Sequence, residues 1–88
     1  MFMLRFDMRA PTGGAPIQDL YRAAVEMSEW GEAHGGLTIA ISEHHASPDR
    51  YLPSPMILAS AIAARTSTIP ISIGALLLNY HDPIRIAE

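Results

Sequence analysis

Ile41-Ser42-Glu43-His44-His45-Ala46-Ser47-Pro48-Asp49-Arg50-Tyr51-Leu52-Pro53-Ser54-Pro55 is the stretch that decides the fold. An apolar run ends in an acid and two adjacent histidines, a turn-rich segment follows, and a Ser-Pro pair then opens a helix. Strand, polar chemistry, loop and helix in that order is how parallel α/β proteins carry their active sites.

Working outward, Leu37, Ile39 and Ile41 alternate with Thr38, Ala40 and Ser42. Large residues on one face and small ones on the other predict a barrel strand over 37–42, large side toward helices and small side inward. If that alternation continues, His44 joins the inward set and Glu43 and His45 fall on the opposite parity. Downstream, Ser54 is a natural N-cap and Pro55 a natural first helical residue. The helix that follows, to Arg65, is apolar nearly all round, which predicts burial on more than one side. Ile69 to Leu78 reads as a third strand with Pro70 at its beginning. Asn79 to Asp82 reads as a loop, with Asp82 as the cap of a helix opened by Pro83.

Upstream, Leu4, Phe6 and Met8 share one parity and Arg5 and Asp7 the other, so Phe2 to Met8 reads as a strand. A Pro- and Gly-rich loop leads to a helix from Ile17 to His34, with an apolar stripe of Ile17, Leu20, Tyr21, Ala24, Met27 and Gly31. Gly35-Gly36 ends it, because a left-handed cap residue is cheap only for glycine. Trp30 is expected to pack under the helix end. The order is βαβαβ and a helix start: an α/β fold, either a doubly wound sheet or the first units of a (β/α)₈ barrel. The loop after the first strand lacks G-x-G-x-x-G, so no phosphate cradle is indicated there.

Composition narrows the function classes. In 88 residues, 49% are hydrophobic and 17% charged, and the net charge is -3. All six basic residues are arginine and they do not cluster, which argues against nucleic-acid binding. The absence of cysteine excludes disulfides, thiol catalysis and Cys-ligated zinc. Arg5 and Asp7 interrupt any signal-peptide core, and no apolar run approaches the roughly 18 residues of a membrane span. The expectation is a cytoplasmic protein with no membrane partner. A metal site on a barrel strand would use His-x-His; adjacent histidines point oppositely in a strand, so no metal is expected and a metal-dependent hydrolase is the weakest reading. A solvated pair is the commoner fate of two adjacent histidines. The strand end and the parity lift His44 above it, as a general acid–base group near neutral pH, with Glu43 as an orienting partner. Asp7 faces inward on this reading, as a partner of Arg5 or Arg9 before a lining residue of the site, and Tyr51 reads as a loop anchor before a surface for a planar ligand.

Several segments together resemble the luciferase-like flavin-dependent oxidoreductases. They are Trp30-Gly31-Glu32-Ala33-His34-Gly35, Ser42-Glu43-His44-His45, Ser54-Pro55, Ala63-Ala64-Arg65-Thr66 with Ile73-Gly74, and His81-Asp82-Pro83-Ile84-Arg85-Ile86-Ala87-Glu88. The resemblance implies a (β/α)₈ barrel with a flavin ring at the C-terminal ends of its strands and a small organic substrate. The cofactor would be FMN or a deazaflavin coenzyme. His44 matches the family histidine near the reactive part of the ring, with Glu43 beside it. Gly74, Ala75 and Leu76 match the segment behind the ring, where some members carry a non-prolyl cis peptide, expected here at Gly74–Ala75 or Ala75–Leu76. The implied activity is that of an oxidoreductase, specifically a monooxygenase, and the implied assembly is a homo-oligomer formed through the helices. The rival on the same fold is a catalytically silent flavin carrier. A barrel takes about 250 residues, so residues 1–88 are expected to be an N-terminal fragment of one barrel domain. It would hold about three of eight units and be inactive alone.

Overall fold

The computed structural model describes residues 1–88. Three strands, β1 (Phe2–Arg5), β2 (Gly36–Ile41) and β3 (Ile71–Ile73), form one sheet in the order β1-β2-β3. Both pairings are parallel, with Leu4 opposite Ile39, and Ile39 opposite Ile71. The crossovers are α1 (Ile17–Ala33) and α2 (Pro55–Arg65). A single 3₁₀ turn, Leu78–Tyr80, and a short helix, α3 (Pro83–Ala87), follow β3. Parallel neighbours need such crossovers, and each helix hides one face of the sheet from water.

The alternation in β1 and β2 sorts as expected except at Leu37, which is exposed at the start of β2. Ile39 and Ile41 are buried with Ala24 of α1 and with Leu58 and Ile62 of α2, and Leu4 and Phe6 pack against them. This core rests on apolar burial at roughly 25 cal/mol per Å². On the opposite sheet face Met3, Arg5 and Ser72 are exposed.

Some elements differ from the periodicity. β1 stops at Arg5, although Phe6 still donates its N–H to Ala40 O at 3.0 Å. Buried Met8 at φ 63° turns the chain out of the strand direction. β3 is only Ile71–Ile73, not 69–78; its last ladder bond is Gly74 N–H to Ile41 O at 2.8 Å, and the Gly74–Ala75 peptide is cis. Met27 is 48% exposed, and the buried stripe of α1 runs instead through Ala24, Ser28 and Gly31. Ser28 fits inside because its hydroxyl donates to Ala24 O at 2.7 Å. Trp30 is not under the helix end: it is 54% exposed and stacks on His34 with ring centroids 4.2 Å apart. The prolines and capping residues place the helix starts correctly. Pro55 begins α2, and Asp82 caps α3 by accepting from Ile84 N–H at 2.8 Å. Ser54 stands at the N-cap of α2 without a side-chain bond.

Two glycines let α1 turn back into β2. Gly35 takes φ +83°, as expected of a helix stop. A Cβ on Gly36 would lie 2.8 Å from Gly31 O, so only glycine allows the strand to start this close to the helix. Glu32 then ties α1 to the turn ahead of β3. Its carboxylate accepts from the N–H groups of Ser67, Thr68 and Ile69 at 2.6–3.0 Å. Those amides, Thr68 first, lower its pKa from 4.5 to about 2. α2 departs from expectation in one respect: Leu58 and Ile62 are buried, but Ile57 is 73% exposed. The other contact of α2 is with α1, where Arg65 pairs with Glu29, and the side carrying Ile57 faces out. No helix is long and apolar enough to cross a membrane.

Candidate active site

The C-terminal ends of the three strands open on one cleft of about 610 Å³, whose lining includes Arg5, His44, His45, Tyr51, Gly74 and Ala75. Each strand contributes where it stops: Arg5 ends β1, Ser42 and Glu43 follow β2, and Gly74 and Ala75 follow β3. This is the end of a parallel sheet at which loops gather chemistry.

His44 is on the cleft side, and His45 is there as well. The expected opposition of the two imidazoles fails because strand conformation ends at Ile41, so the period of two does not reach position 45. His44 N–H instead bonds Leu52 O at 3.1 Å, and Leu52 is completely buried. Ala46, Arg50 and Leu52 all adopt positive φ, which coils the loop back on the strand end. Such non-glycine conformations cost of order 1 kcal/mol each and gather at functional sites. The imidazole of His44 stacks on Tyr51, and its Nδ1 lies 3.4 Å from the Ser42 hydroxyl.

Glu43 is the hub of the site. Its side chain is wholly buried, with Oε2 accepting from His45 Nε2 at 2.7 Å and Oε1 from Leu77 N–H at 2.9 Å and His81 Nε2 at 3.0 Å. An ionised carboxylate only accepts, so both imidazoles present Nε2–H to it. Burial by itself pushes its pKa up, but the bonds from His81, His45 and Leu77 outweigh that and hold it at about 2. His81 and Leu77 are site residues that sequence reasoning missed; only the folding of the post-β3 segment onto the β2 end brings them in. No group of three or more His, Asp or Glu side chains is placed to hold a metal ion.

Gly74 and Ala75 line the cleft as expected, whereas its neighbouring contribution comes from Leu77 and not Leu76. A Cβ on Gly74 would meet nothing within 4 Å, so no protein atom demands glycine there. Asp7 turns away to clamp Arg9, with Nε–Oδ1 at 2.6 Å, and it is Arg5 that reaches the cleft.

Glu32 and Glu43 carry the same linkage. Both are more acidic folded than the ordinary 4.5, so their stabilisation is complete above about pH 4.5 and is lost as pH falls toward about 2. Urea midpoints measured from about pH 6 to about pH 2 are expected to fall across this window, and Glu32→Gln to shrink the fall. A profile identical in wild type and variant would contradict the Glu32 assignment.

Comparison with known proteins agrees with this geometry. The family model described as luciferase-like monooxygenase matches residues 1–88. YceB, an uncharacterised protein of Bacillus subtilis (strain 168), is 32% identical over 76 residues, which is 86% of this chain and 23% of that protein. The 4-hydroxyprotoasukamycin monooxygenase of Streptomyces nodosus subsp. asukaensis is 31% identical over 78 residues, 89% of this chain and 21% of that protein. The crystal structure of apo-MsnO8 superposes with a TM-score of 0.81 at 27% identity, over 98% of this chain and 26% of that one. The oxygenating constituent of 3,6-diketocamphane monooxygenase from Pseudomonas putida, a type II Baeyer–Villiger monooxygenase in complex with FMN, also gives 0.81, at 23% identity over 98% of this chain and 23% of that one. At that identity the likeness speaks for fold alone. The chain spans about a quarter of the length of these relatives. Matched from its first residue to its last, the chain belongs to the luciferase-like monooxygenase family.

Proposed function

We propose that these residues are the opening three units of a (β/α)₈ barrel, and that the complete protein is a flavin-dependent monooxygenase acting on a small organic substrate. The observation that carries the reading is the convergence of His44, His45, Arg5 and the bare backbone of Gly74 and Ala75 on one cleft at the strand ends. Family membership supports the reaction class. The open sheet edges and the exposed apolar side of α2, with Ile57, support a larger barrel, whose further units would cover them. Assembly of copies through the helices and a cytoplasmic location belong to the same proposal.

The residues present fit a planar ring. Gly74 leaves open space where any side chain would project, and the cleft has the volume of a cofactor site. Gly74 and Ala75 would form the wall behind the ring with their backbone, with Leu77 in place of the expected Leu76. Glu43 would serve the cofactor site from behind, through His45 and the Leu77 amide, because its own oxygens are engaged. Bound FMN or deazaflavin would supply the electron transfer, and in a monooxygenase the activation of dioxygen. His44 moves the proton. Its Nδ1 is directed at Ser42, so Nε2 is the ring atom that donates to or accepts from the bound group. The loop carrying Tyr51 and buried Leu52 lies on the His44 side of the cleft.

Gly74→Leu tests the site. It is expected to weaken flavin binding at least about tenfold, since a Cβ there enters the open cleft and not a protein atom of these strands. Fluorescence titration of the complete protein with FMN reads the affinity, and unchanged binding would remove this cleft as the flavin site. The absorbance spectrum of the protein as purified separates FMN from a deazaflavin.

A further inference from the structure

We infer that Tyr51 is the positioning residue for His44, its ring fixing the plane of the imidazole so that only the ring edge meets a bound group. The inference rests on the proposed role of His44 and adds what holds that side chain in place.

The two rings lie face to face, with centroids 3.7 Å apart and planes within 9° of parallel. One face of the imidazole is therefore covered. With Nδ1 directed at Ser42, rotation about the outer side-chain bond would break both the stack and the hydroxyl contact. A histidine at a strand end otherwise has a broad rotation there, and a solvent-facing imidazole would sample it. Tyr51 removes that freedom before any ligand arrives, which is how positioning lowers a barrier.

Tyr51 is itself held from the β1 side. The Arg9 guanidinium lies over its ring, with Cζ 5.3 Å from the centroid, and Asp7 grips Arg9 through two parallel bonds of 2.6 Å. The bidentate pair fixes the guanidinium plane and neutralises its charge, so a cation at His44 is not opposed by a bare arginine. The two loops are also tied through their backbones, Ala10 N–H to Asp49 O at 2.7 Å. Below, buried Leu52 anchors the residue next to Tyr51 and accepts the His44 N–H. The order Asp7, Arg9, Tyr51, His44 is thus a column built from the loops after β1 and β2 and ending on the cleft. A tyrosine serving only as a loop anchor would need none of it.

The test compares Tyr51→Leu and Tyr51→Phe in the complete protein. Leucine keeps the bulk and removes the ring; phenylalanine keeps the ring. Tyr51→Leu is expected to lower kcat by about ten- to a hundredfold with the flavin Kd unchanged, and Tyr51→Phe to recover most of that loss. His44 ring protons, assigned by their disappearance in His44→Gln, are expected upfield in wild type and in Tyr51→Phe through the aromatic ring current, and at ordinary positions in Tyr51→Leu. Wild-type kcat and ring-proton shifts in Tyr51→Leu would overturn the inference, and so would a Tyr51→Phe as impaired as Tyr51→Leu, which would assign the effect to the hydroxyl. The NMR arm needs no turnover. A protein without flavin-dependent activity but with the ring-current shift would refute the proposed reaction and support the positioning.

Discussion

His44→Ala in the complete protein is expected to cut turnover by about 10²- to 10⁴-fold while flavin stays bound, the range for loss of one general acid–base group. The imidazole sits at the cleft edge with Nδ1 turned to Ser42 and Nε2 without a protein partner. Its removal leaves the Gly74–Ala75 wall, the Glu43 hub and the β2–β3 ladder untouched, so cofactor affinity should hold. Steady-state kcat and a flavin titration on the same sample read the two quantities separately. A carrier protein would have no turnover to lose; an enzyme whose kcat is indifferent to the change would not use His44. Loss of flavin together with turnover would mean that His44 binds rather than reacts.

The second large effect is on stability. Glu43→Gln is nearly isosteric, yet it is expected to cost about 1–2 kcal/mol. The carboxylate accepts from three donors, His45 Nε2, His81 Nε2 and Leu77 N–H, across both oxygens. An amide offers one oxygen, which can keep Leu77 N–H and His81, while its NH₂ must then donate to His45, whose imidazole has to switch tautomer to accept. The penalty is the replacement of charge-assisted bonds by neutral ones together with the forced tautomer of His45. A lowered urea midpoint with an unchanged m-value would record it. A shift below about 0.5 kcal/mol would show that His45 and His81 find other partners, or that solvent reaches the site. The segment after β3 should loosen with it, because Leu77 and His81 are its attachments to the β2 end.

Much of the scaffold was legible from residue spacing. The pattern around Ile39 and Ile41 put the right side of β2 in the core, Pro55 and Asp82 marked helix starts, and Gly35 marked a helix stop. Each of these signals acts within a few residues, through side-chain period, a missing N–H or a φ preference. Misplaced elements were those where the pattern is ambiguous. Ile69 to Leu78 is apolar enough to read as one long strand, yet β3 stops at Ile73, the Gly74–Ala75 peptide turns the chain, and Leu78–Tyr80 winds into a 3₁₀ turn. Trp30 reads as core by type, but it lies on the exposed side of α1, stacked on His34 and beside Phe2.

The sequence by itself determined the order βαβαβ, the covered face of the sheet, and the candidacy of His44 at the strand end. Tertiary structure alone decided what surrounds that histidine. Glu43 finds Leu77 and His81 from 34 and 38 residues away, and Glu32 finds Thr68 and Ile69 from 36 and 37. Arg5 rather than Asp7 enters the cleft, and His45 joins His44 there because the strand has already ended. The physical reason is range. Periodicity and caps are written by neighbours along the chain, whereas a buried carboxylate takes whichever donors the folded backbone brings to it, and no local pattern names them.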